Sequence, residues 1–201
     1  IPPYEYALYE GASQWRAEPP ATALALLGEP LFQRSPQHYT SHAQTPFDHT
    51  TSYAALARSG RVALFAFPLG LSYYNQGYWI YRQAFQKVLS ELLPAPLVQS
   101  DAPLSTELTL THQAARPDMG RKARYLVHIV NFSQLRHTPK HPDFYEDPIP
   151  LTDVTVRLNL PLKTATARAV ASGSELAVRQ TSAGGVEVMV RRIPIHEIVC
   201  I

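Results

Sequence analysis

The sequence predicts two domains of different class, an α/β half followed by an all-β half. One long amphipathic helix is predicted over residues 77–93, directly after a short apolar segment that is typical of a strand. After this helix no helical period of similar length occurs, and short segments with period-two alternation follow one another instead. A proline-rich link at 94–103 separates the two patterns, and we place the domains at 1–98 and 99–201.

The first half contains one clear strand and one clear helix. The apolar run 62–67 is bounded by Gly60 and Pro68, as a buried strand would be. The helix ends at Pro94, because proline has no N–H group to donate and clashes with the preceding turn. Strand, loop and helix in this order are typical of an α/β sheet. Residues 4–9 and 21–27 are weaker strand candidates, and a helix is an alternative for 21–27.

The second half reads as a small antiparallel sandwich or barrel. Its predicted strands are short, evenly spaced and separated by turn residues. The turn Ala183-Gly184-Gly185 suits a hairpin, because glycine tolerates a positive φ. Residues 133–150 form a longer loop than a compact sandwich needs. The strand candidates are 108–110, 125–132, 154–160, 176–178, 186–190 and 195–201.

Composition excludes several classes of function. The net charge of +2 over 201 residues shows no basic stripe, so we predict no nucleic-acid partner. Apolar runs stay well below the roughly 20 residues that span a bilayer, so we predict no membrane partner and a cytoplasmic protein. One cysteine, Cys200, excludes an internal disulfide. The chain starts without Met and without a signal-peptide pattern, and we expect it to be a piece of a longer protein.

The densest group of potential metal ligands is His38, His42, Asp48 and His49. His38 and His42 have the i, i+4 spacing of helical zinc sites. The residues between them, Tyr39-Thr40-Ser41, favour a strand or loop over a helix, and the general-base Glu of such sites is absent. We therefore predict no metal and no cofactor, and interpret this segment as a polar loop that contacts backbone or a neighbouring domain. A metal-dependent hydrolase is an alternative interpretation.

No catalytic residue is predicted. Glycoside hydrolysis usually needs two carboxylates about 5–10 Å apart, and the acidic residues do not indicate such a pair. A nucleophile of the amidotransferase type would lie on a glycine-flanked elbow after a strand. Cys200 lies in the last predicted strand, and Ser72 lacks the second glycine of that motif.

Aromatic residues are concentrated at the start of the predicted helix. Tyr73, Tyr74, Tyr78 and Trp79 lie in or next to the strand-to-helix loop. Tyr and Trp are enriched at interfaces because they bury a large area and keep a polar group. We predict an interface or interdomain contact here, with packing in the core and stacking on sugar rings as alternatives.

Taken in order, several segments resemble the C-terminal region of large bacterial glycoside hydrolases. In that group a catalytic barrel precedes a glutamine-amidotransferase-like (flavodoxin-like) domain, which is related to the β-galactosidase trimerisation domain, and then a small β-domain. The segments that carry the resemblance are 30–34, the loop Ser41-His42…Thr45-Pro46, 60–68, 126–132 and 148–154.

The resemblance implies a partial amidotransferase-like α/β domain at 1–98 and a β-sandwich at 99–201. It implies that the catalytic carboxylates lie in an upstream barrel, which would be the partner of this chain, and that a homo-oligomer can form. On this basis we predict a non-catalytic accessory and assembly region whose loop residues His38, Ser41 and His42 face the barrel or its substrate. A carbohydrate-binding β-sandwich module is the alternative.

Overall fold

The computed structural model describes residues 2–41, 45–132, 136–138, 141–144, 147–162 and 166–201. The chain divides into two compact units, and the division falls between Pro94 and Ala95. None of the helices in the described part is long and apolar enough to cross a membrane.

Unit 1 contains a three-stranded antiparallel sheet in the order β1-β2-β3. Strand β1 is Thr22–Pro30, β2 is Phe47–Ser59 and β3 is Val62–Phe65. Only two residues, Gly60 and Arg61, join β2 to β3, and Gly60 has a φ of 55°. A two-residue connection of this kind makes a hairpin.

Two helices follow the sheet. Helix α1 is Leu69–Gln76 and α2 is Trp79–Leu92, so the predicted long helix is confirmed. Helix α2 contacts the sheet face that carries Arg58, whose guanidinium lies 2.7 Å from the Glu91 carboxylate. Side chains on this face pair across the sheet, as Leu56 does with Phe65.

The predicted amidotransferase-like (flavodoxin-like) α/β domain is not supported. All strand pairs among the described residues of unit 1 are antiparallel, whereas a parallel sheet needs a crossover of a dozen or more residues between neighbours. The prediction missed β2, and without β2 the run 62–67 looked like an isolated strand of an α/β unit. Of the weaker candidates, 21–27 is a strand within β1, and 4–9 has no regular secondary structure.

Unit 2 is a β-sandwich of two antiparallel sheets, as the alternation predicted. One sheet has five strands in the order β11-β10-β14-β6-β5, and the other has four in the order β12-β13-β9-β4. The core between them is mainly valine, isoleucine and leucine. The strands are β4 Val98–Ser100, β5 Thr106–Gln113, β6 Arg124–Asn131, β9 Leu151–Leu158, β10 Ala167–Ala169, β11 Ser174–Leu176, β12 Val178–Gln180, β13 Val186–Ile193 and β14 His196–Cys200.

Two details of unit 2 differ from the prediction. The segment predicted as one strand at 176–178 is the end of β11 and the start of β12, which belong to different sheets. The chain therefore crosses between the sheets at Ala177. Within the predicted long loop 133–150, β7 (Arg136–Thr138) pairs with β8 (His141–Phe144), and residues 133–135, 139–140 and 145–146 lie outside the described residues.

Candidate functional site

Aromatic rings cluster in unit 1 where the N-terminal segment meets the start of α2. The Tyr6 ring centroid lies 6.4 Å from that of Tyr78 and 6.4 Å from that of Trp79, the second contact being edge-to-face. Tyr78 in turn packs edge-to-face on Tyr81 at 5.5 Å. We call Tyr6, Tyr78, Trp79 and Tyr81 the aromatic cluster. Such contacts stabilise a defined arrangement of rings beyond the area they bury.

The break between the two helices positions two of these rings. Gly77 has a φ of 58° and its N–H donates to the Tyr73 carbonyl at 2.8 Å, which ends α1 with a left-handed residue. Helix α2 then begins at Trp79. Tyr78 and Trp79 therefore lie at the first turn of α2, beside the N-terminal segment.

Hydroxyl groups tie the cluster to the N-terminal segment. The Tyr81 hydroxyl donates to the Ala7 carbonyl at 2.8 Å, and the Tyr6 hydroxyl donates to the Pro2 carbonyl at 2.9 Å. Burial raises the pKa of Tyr81. Loss of solvent raises the pKa of Tyr6, with a further contribution from Tyr78. Both phenols thus stay neutral and can donate these bonds at physiological pH.

The sequence grouped Tyr73 and Tyr74 with Tyr78 and Trp79. In the structure Tyr73 and Tyr74 lie on α1 and are exposed, Tyr74 over 83% of its surface. Trp79 is 46% exposed. Sequence reasoning missed Tyr6, because no local pattern links the N-terminal segment to the start of α2.

The predicted polar loop is the tip of the β1–β2 hairpin, residues 31–46. Backbone bonds in both directions between Ser35 and His38 form a turn, and the His38 ring lies 5.6 Å from the Phe32 ring. Arg34 lies over the Tyr39 ring at 5.6 Å. His38 and Ser41 are exposed, and His42 lies outside the described residues.

The hairpin tip is not helical between residues 31 and 41, so the i, i+4 spacing of His38 and His42 does not place two imidazoles on one helical face. His49 contacts its neighbour Asp48 at 2.8 Å. Among the described residues there is no group of three or more His, Cys, Asp or Glu that could hold a metal ion.

The sheet of unit 1 exposes apolar side chains on the face opposite α2. Arg58 contacts α2 through Glu91, and Leu56 lies on the same face of the sheet. Side chains alternate along a strand, so Val62 and Leu64 on β3 point the other way. Val62 is 69% exposed and Leu64 is 55% exposed. We call these two residues the exposed sheet face. Neighbouring β1 also exposes Leu24 and Leu26.

The most shielded acidic side chain on the outside of the sandwich is held by arginines. Glu187 on β13 lies between Arg157 on β9 and Arg179 on β12, its partners in the strand register, and its carboxylate forms an ion pair with each. The hydrogen bond from Arg157 lowers the pKa of Glu187, and Arg179 lowers it further. This carboxylate stays ionised and is committed to the ion pairs.

A second carboxylate, that of Glu197 on β14, is buried. One oxygen accepts the N–H groups of Ala171 and Ile198, at 2.7 and 2.8 Å, and the other accepts that of Ser172 at 3.1 Å. Only 1% of Glu197 is exposed. It therefore holds the turn that follows β10 and has no opening toward a substrate.

Two open depressions in unit 2 share Asp101 as a lining residue. An Asp101 oxygen accepts the Thr155 N–H at 2.8 Å. Hydrogen bonding to Thr155, through its side chain first and its backbone second, lowers the pKa of Asp101. The smaller depression has a volume of about 200 Å³ and is also lined by Arg157. Asp101 is the single carboxylate among its described lining residues and is bonded to Thr155, while Arg157 pairs with Glu187, so the geometry does not indicate a general acid and a nucleophile.

No protein-family model matches the chain, and no curated protein matches it. Among solved structures, alpha-L-fucosidase isoenzyme 2 from Paenibacillus thiaminolyticus has a similar fold, with a TM-score of 0.74 and 24% sequence identity. The match covers 90% of this chain and 26% of the fucosidase chain, so this chain spans about a quarter of the length of that enzyme.

A second solved structure is a cycloisomaltooligosaccharide glucanotransferase from Paenibacillus sp., complexed with cycloisomaltoheptaose. It aligns with a TM-score of 0.29 and 14% identity over 58% of this chain and 19% of its own. That score is too low to support an argument. The fucosidase match supports the fold described above.

Proposed function

We propose that this chain is a non-catalytic accessory region of a glycoside hydrolase and serves the assembly and shaping of that enzyme. The observation that carries the proposal is the exposed sheet face, on which a small sheet leaves Val62 and Leu64 in solvent. Grouped apolar side chains of this kind mark interaction sites in soluble proteins. The similarity of 90% of the chain to a quarter of an alpha-L-fucosidase supports a larger polypeptide as the context.

The catalytic carboxylates are proposed to lie in a barrel that precedes this region. The three best-engaged carboxylates here have structural roles. Glu187 pairs with two arginines, Glu197 accepts three backbone N–H groups, and Glu91 pairs with Arg58 and Lys87. A retaining or inverting pair needs two carboxyl groups facing one sugar, and such an arrangement would come from the barrel.

The hairpin tip is the part of unit 1 that we propose faces this barrel or its substrate, through His38, Ser41 and His42. Long connecting loops are usually functional or interface-forming. The turn at Ser35 and the tilted ring contact between His38 and Phe32 give the tip a defined surface. Kinship with the amidotransferase-like trimerisation domain rests on the sequence resemblance and is not needed for this proposal.

A substitution at the exposed sheet face tests the docking. Leu64→Asp is expected to cost the parent enzyme about 2 kcal/mol, because a buried leucine contributes about that much. In the isolated 201-residue chain the same change should cost about 1 kcal/mol or less, since just over half of Leu64 is already exposed there. Thermal unfolding of both proteins, with and without the substitution, measures the difference.

Val170→Asp is the matched control, because Val170 is a half-exposed apolar residue that belongs to unit 2 and not to the exposed sheet face. It should have a similar small effect in both proteins. Docking at the exposed sheet face would be contradicted if Leu64→Asp destabilised the two proteins equally, or left the parent enzyme unchanged.

A carbohydrate contact at the aromatic cluster is the second candidate function. The edge-to-face contact with Tyr6 fixes the Trp79 ring while nearly half of Trp79 stays exposed. A fixed, exposed aromatic ring suits stacking on the C–H face of a sugar. The chemistry of the fucosidase match makes L-fucose one suitable probe, and the sequence resemblance makes D-galactose another.

The two tryptophans allow a direct test of this second candidate. Trp15→Phe leaves Trp79 as the single indole, and Trp79→Phe leaves Trp15. Titration with either sugar is expected to change the fluorescence of the Trp15→Phe chain in a saturable way and leave the Trp79→Phe chain unchanged. An unchanged signal in both variants would remove the sugar contact and leave the accessory role untouched.

A further inference from the structure

The edge strands of the two units differ in how well they are protected against pairing with another chain. An edge strand presents unpaired N–H and C=O groups, and natural proteins shield it by short length, bulges, proline or charge. In unit 2, the edge strands β4, β11 and β12 have three residues each. In unit 1, β3 has four residues, and β1 has several register shifts and ends at Pro30.

Strand β5 has none of these protections except one charge. It has eight residues and pairs with β6 over all eight, from Thr106 opposite Asn131 to Gln113 opposite Arg124, without a register shift. It contains neither proline nor lysine, and Glu107 is its single acidic residue. It is therefore the longest regular edge in the described part of the chain.

The free edge of β5 offers a regular set of backbone groups. Just before the strand, the Phe132 N–H donates to the Ser105 carbonyl, so Ser105 points toward β6. Backbone groups in an antiparallel pair alternate between the two sides. Leu108, Leu110 and His112 therefore direct their N–H and C=O groups away from β6, and these groups make no backbone hydrogen bond to another described segment.

We infer that β5 pairs antiparallel with β5 of a second copy of this chain, across a two-fold axis at Thr109. In this register Leu108 lies opposite Leu110 of the second copy, and both belong to the apolar side that packs on the core. Glu107 lies opposite Thr111 of the second copy, so no like charges meet. The outward N–H and C=O groups of the two copies then face each other, because Leu108 and Leu110 are two residues apart and both direct these groups away from β6.

The side-chain pattern of β5 selects a second copy over other occupants. Thr109 has a leucine on each side, and a polar residue follows beyond each leucine. The sequence pattern is therefore nearly the same in both directions, so the strand can pair with an antiparallel copy of itself. A two-fold interface requires this property, because the same surface serves both partners. Pairing would join two five-stranded sheets into one continuous sheet. This inference is independent of the accessory role proposed above.

Two charge substitutions with opposite expected signs test the register. Thr109→Glu puts two carboxylates opposite each other on the axis, next to Glu107 of both copies, and should raise the dissociation constant about five-fold. Thr111→Lys puts an ammonium group opposite Glu107 of the second copy, twice per dimer, and should lower it about five-fold. Both threonines are exposed on the outer face, so the fold should tolerate either change.

Sedimentation equilibrium of the 201-residue chain and of both variants gives the dissociation constants, and far-UV circular dichroism checks the fold. A wild-type dimer that Thr109→Glu weakens and Thr111→Lys strengthens supports the inference. A wild-type chain that stays monomeric to about 1 mM overturns it, and would leave the edge of β5 to an extended segment of another polypeptide. A dimer on which both variants act in the same direction, or not at all, also overturns it.

Discussion

Replacing Gly185 by alanine is expected to destabilise the sandwich by about 3 kcal/mol. A Cβ atom at this position would lie 2.3 Å from the Leu158 carbonyl oxygen and 3.2 Å from the Asn159 Cα. Both are backbone atoms of the end of β9, so neither can move as a flexible side chain would. Gly185 is also held in place, since its N–H donates to the Thr181 hydroxyl and its C=O accepts the Thr181 N–H.

The neighbouring glycine provides the control. Gly184 has a φ of 82°, and a Cβ atom there would meet nothing within 4 Å. Gly184→Ala should therefore cost only the strain of a left-handed residue, about 1 kcal/mol. For a unit of this size the melting temperatures should fall by about 15 °C and about 5 °C respectively. Equal losses in the two variants would contradict a specific requirement for glycine next to β9, because Gly185 would then cost no more to replace than its neighbour.

This hairpin shows what the sequence could and could not predict. The pair Gly184-Gly185 predicted a turn, and the turn is present between β12 and β13. The sequence assigned both glycines to turn conformation, whereas only Gly184 has a positive φ. The requirement at Gly185 comes from Leu158, which is distant in sequence and adjacent only after the two strands pair.

Whole strands also differ in whether the local sequence or a distant contact determines them. Period-two alternation predicted the long strands of unit 2, because one face of each is buried in the sandwich core and the other is in solvent. Strand β2 was missed because its first half is mostly polar and exposed. Buried side chains occur only in its second half. Without β2, the hairpin at Gly60 could not be recognised, and unit 1 was assigned to the wrong class of sheet.

The residues of the candidate surfaces were predictable only where they lie close together in the sequence. Tyr78 and Trp79 were predictable, because aromatic residues are concentrated in one stretch of the sequence. Tyr6 was not, because its contacts with both rings depend on how the N-terminal segment returns to α2. The exposed sheet face could not be predicted either, since the apolar run that contains Val62 and Leu64 predicted a buried strand.

Replacing Glu197 by alanine is expected to destabilise unit 2 by about 4 kcal/mol. The alternation with Val199 placed Glu197 on the inner side of the last strand, and the structure shows it buried. Removal of its carboxylate leaves the N–H groups of Ala171, Ser172 and Ile198 without that acceptor in a buried site. Each buried donor without a partner costs about 1–3 kcal/mol.

Glutamine at position 197 should give an intermediate loss of about 2 kcal/mol, because one amide oxygen can still accept two N–H groups while its NH₂ group opposes the third. Glu175→Ala on exposed β11 is the control and should change the stability by less than about 0.5 kcal/mol. Denaturant unfolding gives the free energies. Amide hydrogen exchange locates the effect. The N–H groups of Ala171 and Ser172 should exchange faster in both position-197 variants, and their exchange rates should be unchanged in the control. If the alanine variant matched Glu175→Ala in stability, the three hydrogen bonds would contribute nothing net, and the turn after β10 would be held by its strands alone.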